Sequence, residues 1–415
     1  KEELDKGANA SMQLAYAECS FEEGSEEILV AEKAGAEALA SFKSYGDKKM
    51  IAAAQVALAQ LYMRRPGDKK KAVEDARHVV SDAIALFKEL GDAKGEALAL
   101  HAMASSRMLS GATEGAIRAA REALAIFQKE GLRNFEALEL NSIASWCITD
   151  GDFVETMALA GEAMDIYQEG LTVDIAEAAV LQTIVTACLH NNQPKTALWS
   201  VKDVLQRFEE SGNAKGEAVA YAQMCRVYCA LGDAGRALNS AINAADSYEA
   251  LNDKASQARE LRSICRLYNQ CQDHEKALEF AQAALDLFRQ VDYVKEQAMT
   301  LQVRANVYMA KHDYSMAIFC IMDAHQLYQN ASEHRGEMEA LLHLAEAQMG
   351  SGDLLGALKS TSEVQVIAEE LGDSQMIALA LRRQIEIHVR QGDLDALCAL
   401  RCADKQRGWK MVERG

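Results

Sequence analysis

Bulky apolar residues recur along the chain at a nearly fixed distance: Phe42, Phe87, Phe127, Tyr167, Phe208, Tyr248, Phe288, Tyr328 and Ile367, at intervals of 45, 40, 40, 41, 40, 40, 40 and 39. A period of this size marks a repeat array of supersecondary units. Eleven residues before each anchor stands a small residue: Ala31, Ala76, Ala116, Thr156, Ala197, Ala237, Ala277, Ala317 and Gly356. Four residues before it stand Ala38, Ala83, Ala123, Ala163, Val204, Ala244, Ala284, Ala324 and Glu363. Steps of 7 and 4 keep these positions on one helix face, which predicts a closely packed second helix in every unit.

A first helix precedes it, opening near Ala97, Ala137, Ala178, Ala218, Ala258, Ala298, Met338 and Ala378, often inside a Gly-Glu-Ala triplet. First helices are predicted near 5–20, 48–64, 93–110, 134–149, 173–190, 214–231, 254–271, 294–311, 334–350 and 374–391. Gly151-Asp152, Gly232-Asp233, Gly352-Asp353 and Gly392-Asp393 mark the turns inside units, and Gly46-Asp47, Gly91-Asp92, Gly212-Asn213 and Gly372-Asp373 those between them. Glycine ends a helix in the left-handed conformation, and Asp or Asn caps the amides that open the next. Pro66 and Pro194 fall in such turns, where a missing N–H does no harm. The predicted fold is an all-α solenoid over 1–415, with units near 1–46, 47–91, 92–131, 132–171, 172–212, 213–252, 253–292, 293–332, 333–372 and 373–403. The segment 404–415, with Trp409, is expected to cap the last unit, as terminal repeats require.

Cys225 and Tyr228 followed by Ala237 and Ala244, and Cys265 and Tyr268 followed by Ala277 and Ala284, reproduce a small and an aromatic residue in one helix and alanines in the next. In this the chain resembles the tetratricopeptide repeat (TPR) family across almost its whole length. It departs from the common form in its period of 40 and in lacking the proline that closes each unit. The longer helices, Gly-Glu-Ala openings and Gly-Asp turns are similar to the subgroup of LGN/Pins adaptors and, more loosely, of kinesin light chains; nothing in the tail resembles LGN's Gα-binding motifs. The resemblance implies a right-handed superhelix whose first helices line a concave groove that holds a partner's peptide or helix.

At the ligand-facing position that the resemblance implies, one row is polar throughout: Gln60, Ser105, Ser145, Thr186, Arg226, Arg266, Asn306, Glu346 and Glu386. The row just before it is apolar: Ala59, Ala104, Ala144, Val185, Cys225, Cys265, Ala305, Ala345 and Ile385. Four residues ahead of the polar row lies a mixed one, Val56, His101, Asn141, Gln182, Ala222, Arg262, Gln302, Leu342 and Arg382. Three residues after the polar row come Met63, Met108, Ile148, Leu189, Cys229, Asn269, Met309, Met349 and Val389, read either as a groove stripe or as core. The candidate peptide-binding set is therefore Asn141, Ser145, Gln182, Thr186, Arg226, Arg259, Arg262, Arg266, Gln302, Asn306 and Glu346. Arg226, Arg259, Arg262 and Arg266 form a cationic patch, with Arg226 expected beside Arg266. Two readings stand: the patch grips a partner's carboxylate, or it pairs internally with Glu217, Glu260, Glu296 or Glu337. Reversing Arg262 and Arg266 together is predicted to abolish capture with helix content intact. Toward Glu346 and Glu386 the row turns acidic, so a bound segment is expected to be negative toward one end and positive toward the other. The Lys, Asn, Asn, Lys, Arg clamp of the family's chaperone-tail class is absent.

Bulk properties narrow the function classes. A single core stops growing at roughly 250 to 300 residues, which 415 residues exceed unless they lengthen by stacking. Net charge is −18, which argues against nucleic acid as a partner. No stretch approaches the length of a membrane span. Ten cysteines without zinc-like spacing point to reduced thiols in a cytosol-like compartment; an organelle stays open because the chain starts at Lys1 rather than Met. Cys225 and Cys229, and Cys398 and Cys402, are read as core packing rather than metal ligands. The basic run from Arg64 to Lys71 reads as a solvated loop. No phosphate loop, nucleophile elbow or HExxH helix occurs, and His343 near Glu346 is the one acid–base pair noted. The expectation is a noncatalytic protein-binding adaptor without cofactor or metal; the alternative is a subunit that braces a large assembly through its convex or edge surfaces.

Overall fold

The structure, a computed structural model, describes residues 11, 13–15, 25–65, 69–169 and 175–392. The described residues are helical, with short turns and no strand. The chain divides after Asp253 into two compact units. The first contains α1 (Ser25–Tyr45), α2 (Lys48–Arg64), α3 (Lys69–Leu90), α4 (Ala93–Leu109), α5 (Thr113–Lys129), α6 (Arg133–Asp150), α7 (Phe153–Glu169), α8 (Ile175–His190), α9 (Pro194–Ser211), α10 (Ala214–Ala230) and α11 (Ala234–Ala250). The second contains α12 (Lys254–Gln270), α13 (His274–Gln290), α14 (Val294–Ala310), α15 (Tyr314–Asn330), α16 (His334–Ser351), α17 (Leu354–Leu371) and α18 (Ser374–Gln391). Each unit is an α-solenoid of TPR-like hairpins, in which the even-numbered helices are first helices and the odd-numbered ones second helices.

The hairpins form where the repeat pattern places them. Asp92, Asp233, Asp273, Asp313 and Asp353 each accept a hydrogen bond from the backbone N–H three residues on, capping α4, α11, α13, α15 and α17. Pro194 opens α9. The turns before these caps use a left-handed residue whether or not glycine is present: Gly232 and Gly352 do so, and so do Gln272 (φ 62°) and His312 (φ 58°). A side chain in that region costs roughly 1–2 kcal/mol, so the turn geometry is imposed by the packing of the flanking helices.

Small and large positions of the second helices build the core. Ala116, Ala123 and Phe127 are buried in α5, Ala277, Ala284 and Phe288 in α13, and Ala317, Ala324 and Tyr328 in α15. The opening glycines explain themselves against these rings. A Cβ on Gly216 would sit 2.6 Å from Phe208 Cδ1, and one on Gly336 would sit 2.5 Å from Tyr328 Cδ1. These two rings, like that of Phe87 over Gly95, lie on the first turn of the following hairpin, where a residue without a side chain lets them approach.

One register is corrected. The backbone carbonyls of Phe208, Phe288 and Tyr328 accept from the N–H five residues on, and in α17 the equivalent acceptor is Ala368, bonded to Asp373 N at 2.9 Å. The buried positions of α17 are accordingly Ala357, Val364 and Ala368, not Gly356, Glu363 and Ile367; Glu363 is exposed. The spacing there is 40 rather than 39, and the anchor has shrunk to alanine.

Within each unit first helices also pack on one another, α2 on α4, α6 on α8 and α8 on α10 in the first, α12 on α14, α14 on α16 and α16 on α18 in the second. Second helices do not approach one another to that extent. Elements that converge on one side and spread on the other make the first-helix side the concave one of each unit. The first helix expected near 5–20, Pro66, Cys398, Cys402 and the tail with Trp409 lie outside the described residues, in whole or in large part.

Candidate functional site

The alternation read from the sequence is an alternation of environment. Ala59, Ala104, Ala144, Val185, Cys225, Cys265, Ala305 and Ala345 are buried, whereas none of the nine residues in the polar row is. Ile385, the ninth of the apolar row, is 44% exposed. The stripe three residues further is mostly packed: Met349 is buried with Ala345, Ala357 and Ile387, and Met63 and Met309 pack against neighbouring core clusters. Cys229 and Val389 are exposed.

In the first unit the row is tied together across helices. Arg226 on α10 is exposed and donates from Nη1 to Gln223 Oε1 at 2.6 Å and from Nη2 to Thr186 Oγ1 at 3.2 Å on α8. Thr186 donates to the Gln182 carbonyl at 2.7 Å, and Ser145 to the Ser142 carbonyl at 2.8 Å. Gln182 is exposed, while Asn141 Oδ1 is buried and accepts no hydrogen bond among the described residues.

A pair that the sequence reading missed lies beside them. His101 Nδ1 on α4 sits 2.6 Å from Glu139 Oε2 on α6, with its ring stacked on Trp146 at 6.2 Å. Desolvation works against the imidazolium, but the hydrogen bond and charge of Glu139 outweigh it and raise the His101 pKa above its usual value. Glu139 is 3% exposed. Only alignment of α4 with α6 across the period would have brought the two together.

In the second unit, two members of the candidate set turn inward. Arg262 is 7% exposed; its Nη1 lies 2.5 Å from Glu296 Oε2, and its guanidinium sits over the Phe288 ring at 5.6 Å. Gln302 is 8% exposed and accepts from Tyr328 OH at 3.4 Å. Of the two readings of the patch, internal pairing with Glu296 is the one that holds for Arg262, and reversing that residue would set two carboxylates against each other inside the unit. Arg259 also reaches Glu296, at 3.4 Å, but is exposed.

Arg266 differs from both. It is exposed, and it makes no hydrogen bond or ion pair among the described residues. Desolvation and then the charge of Arg262 hold its guanidinium below the ordinary arginine value. Asn306 on α14 is exposed on the same row.

Farther along, Glu346 and Glu386 do not make an acidic end. Arg383 lies between them, 3.3 Å from Glu346 and 3.0 Å from Glu386. Here α16 and α18 enclose a hollow of ≈350 Å³ lined by Glu339, Leu342, His343, Leu379 and Arg382, besides these residues. His343 does not hydrogen-bond to Glu346; burial pushes its pKa down, so it is neutral near pH 7. Arg226 belongs to the first unit and Arg266 to the second.

No group of three or more His, Cys, Asp or Glu suited to a metal ion occurs among the described residues. No helix of these residues is long and apolar enough to cross a membrane.

No family model matches the chain, and no curated protein matches its sequence. Solved structures of similar fold do. A STAND signal-transduction ATPase with a tetratricopeptide repeat sensor, from Pyrococcus horikoshii, has TM-score 0.54 at 12% identity over 89% of this chain; the chain spans 64% of that protein's length. The apo quorum sensor NprR from B. thuringiensis has TM-score 0.52 at 11% identity, covering 88% of this chain and 99% of that one. A Rap protein complexed with Competence and Sporulation Factor has TM-score 0.50 at 14% identity, covering 93% and 99%. At such identities the likeness speaks to the fold: a TPR-like helical repeat array.

Proposed function

We propose that the chain is a noncatalytic interaction scaffold that captures a peptide or helix of another protein on the concave, first-helix faces. One observation carries this reading: the polar row is accessible in all nine first helices α2 to α18, while eight of the nine residues just before it are buried. A surface kept polar and open on the concave side, unit after unit, suits a ligand that runs across several helices. The Rap protein of the same fold solved with Competence and Sporulation Factor is a precedent for ligand capture by such an array. The period of 40 and the Gly-Glu-Ala openings support a functional analogy with the LGN/Pins subgroup.

The test is a pull-down from native extract with crosslinking, read by mass spectrometry. Crosslinks from a short partner segment to α2, α4 and the other even-numbered helices support the reading. Crosslinks confined to odd-numbered helices refute it and favour the bracing role. A specific observation keeps that second role in view: on the second helix α15, Met316, Phe319 and Met322 are 36%, 59% and 57% exposed.

A further inference from the structure

On the first-helix face of the second unit, carboxylates are matched by cations of the same unit. Glu296 is held by Arg259 and Arg262, Glu339 by Arg335, and Glu346 and Glu386 by Arg383. Arg390 adds a second contact to Glu386. Two guanidiniums on this face remain without a hydrogen bond or ion pair among the described residues, Arg266 on α12 and Arg382 on α18, and both are exposed. Between them lie the exposed amide of Asn306 on α14 and the aliphatic floor of Leu342 and Leu379 in the hollow beside Arg382.

We propose that this face captures an extended acidic segment of a partner protein through two separated carboxylates, one at Arg266 and one at Arg382. The proposal rests on the groove reading above and specifies its ligand. An arginine that is open on a concave wall gains a bidentate, charge-assisted pair without first breaking an internal one. The net charge of −18 does not forbid this. Beyond a Debye length of about 8 Å at physiological salt the remaining acids are screened, so contact pairs decide the outcome.

The separation follows from the fold. Arg266 and Arg382 stand on helices three steps apart in the series α12, α14, α16, α18. Packed helices lie about 8–10 Å apart, which gives roughly 24–30 Å. An extended strand rises about 3.3 Å per residue, so the two acidic side chains belong about 7 to 9 residues apart. In a helix rising about 1.5 Å per residue the spacing would be about 16–20. An aliphatic residue next to the second acid would rest on Leu342 and Leu379.

The probes are synthetic, end-blocked peptides with two Glu in a Ser/Gln background, a Leu beside the second Glu and a photo-crosslinker between them. The spacing is varied from about 4 to about 20 residues, and binding to the full chain is followed by anisotropy. Arg266→Glu and Arg382→Glu are compared with Lys359→Glu, which makes the same charge change at an exposed site on the second helix α17. Circular dichroism checks that each variant folds. We expect the tightest binding at a spacing of about 7–9, a loss of at least about tenfold with either arginine reversal, and little change with Lys359→Glu. Replacing the facing Glu by Lys should restore binding to the matching variant alone. Affinity indifferent to spacing, an optimum near 16–20, or an equal loss with Lys359→Glu overturns the proposal. If peptides crosslink to the first helices regardless of their acids, the groove reading survives and this one falls. If no peptide reaches those helices, both fall.

Discussion

Replacing Arg262 by alanine should loosen the second unit without any ligand being involved. The guanidinium is 8% exposed, bonds Glu296 at 2.5 Å, and lies within 3.5 Å of Thr300 Oγ1. Removing one partner of a buried ion pair costs about 3–5 kcal/mol, because the other charge stays behind unpaired. Here the remaining carboxylate is 21% exposed and keeps Arg259 at 3.4 Å, which brings the cost to or below the bottom of that range, about 2–3 kcal/mol. Each 1.4 kcal/mol is about a factor of ten, which predicts that amides in α12 and α14 exchange roughly 30- to 150-fold faster. Native-state hydrogen exchange is the right assay, since long repeat arrays need not unfold as one cooperative block. Arg266→Ala, which removes an exposed and unpaired group, should change exchange by less than about threefold. Equal effects of the two substitutions would refute the assignment of inner and outer arginine. The double variant Arg262→Met with Glu296→Gln should recover most of the loss, because no buried charge is left alone.

Four further outcomes are expected. Gly216→Ala should destabilise by about 1–3 kcal/mol by overpacking against the Phe208 ring, whereas Gly161→Ala in α7, with nothing within 4 Å of the new Cβ, should stabilise by about 0.5–1 kcal/mol through helix propensity; thermal shift separates the signs. Gln272→Gly should stabilise by about 1 kcal/mol by relieving a left-handed turn, measured in the same way. The folded pKa of His101 is raised above 6.5, so the stability it adds is fully present below pH 6.5 and is lost as pH rises through the folded value. Protection of α4 and α6 should therefore fall across that range, once corrected for intrinsic exchange, and His101→Gln should flatten the dependence. Cys229, pulled down to about 7 by the Cys225 hydrogen bond, should react with iodoacetamide at pH 7.5 before the others, while Cys147 and Cys265, pushed up to about 11 by burial, should react only on unfolding; peptide mass spectrometry reads the order.

The hairpins were legible because their determinants are local. Asp caps, small residues at fixed steps and opening glycines act within a few residues of where they stand, and the helix expected at 93–110 runs from Ala93 to Leu109. The slip at Ile367 arose from counting by the bulk of the anchor; counting from Asp313 to Asp353, which keeps a step of 40, finds Ala368. The open and closed arginines were not legible. Arg262 and Arg266 are one turn apart on one helix, yet the first meets Glu296 on α14 and the second meets solvent. That difference depends on the angular placement of two helices, which a row of letters does not contain. For the same reason Glu346 and Glu386 read as an acidic end until Arg383 was seen between them.

The ring of Phe208 resting on Gly216, and that of Tyr328 on Gly336, has a bearing on how such arrays can be shortened or spliced. A cut between hairpins would divorce a ring from its glycine and leave mismatched halves at both new junctions. A cut inside a hairpin, at Gly232-Asp233 or Gly352-Asp353, carries each couple away whole. The interchangeable module is therefore a second helix together with the first helix that follows it, one phase out of step with the hairpin that the eye picks out.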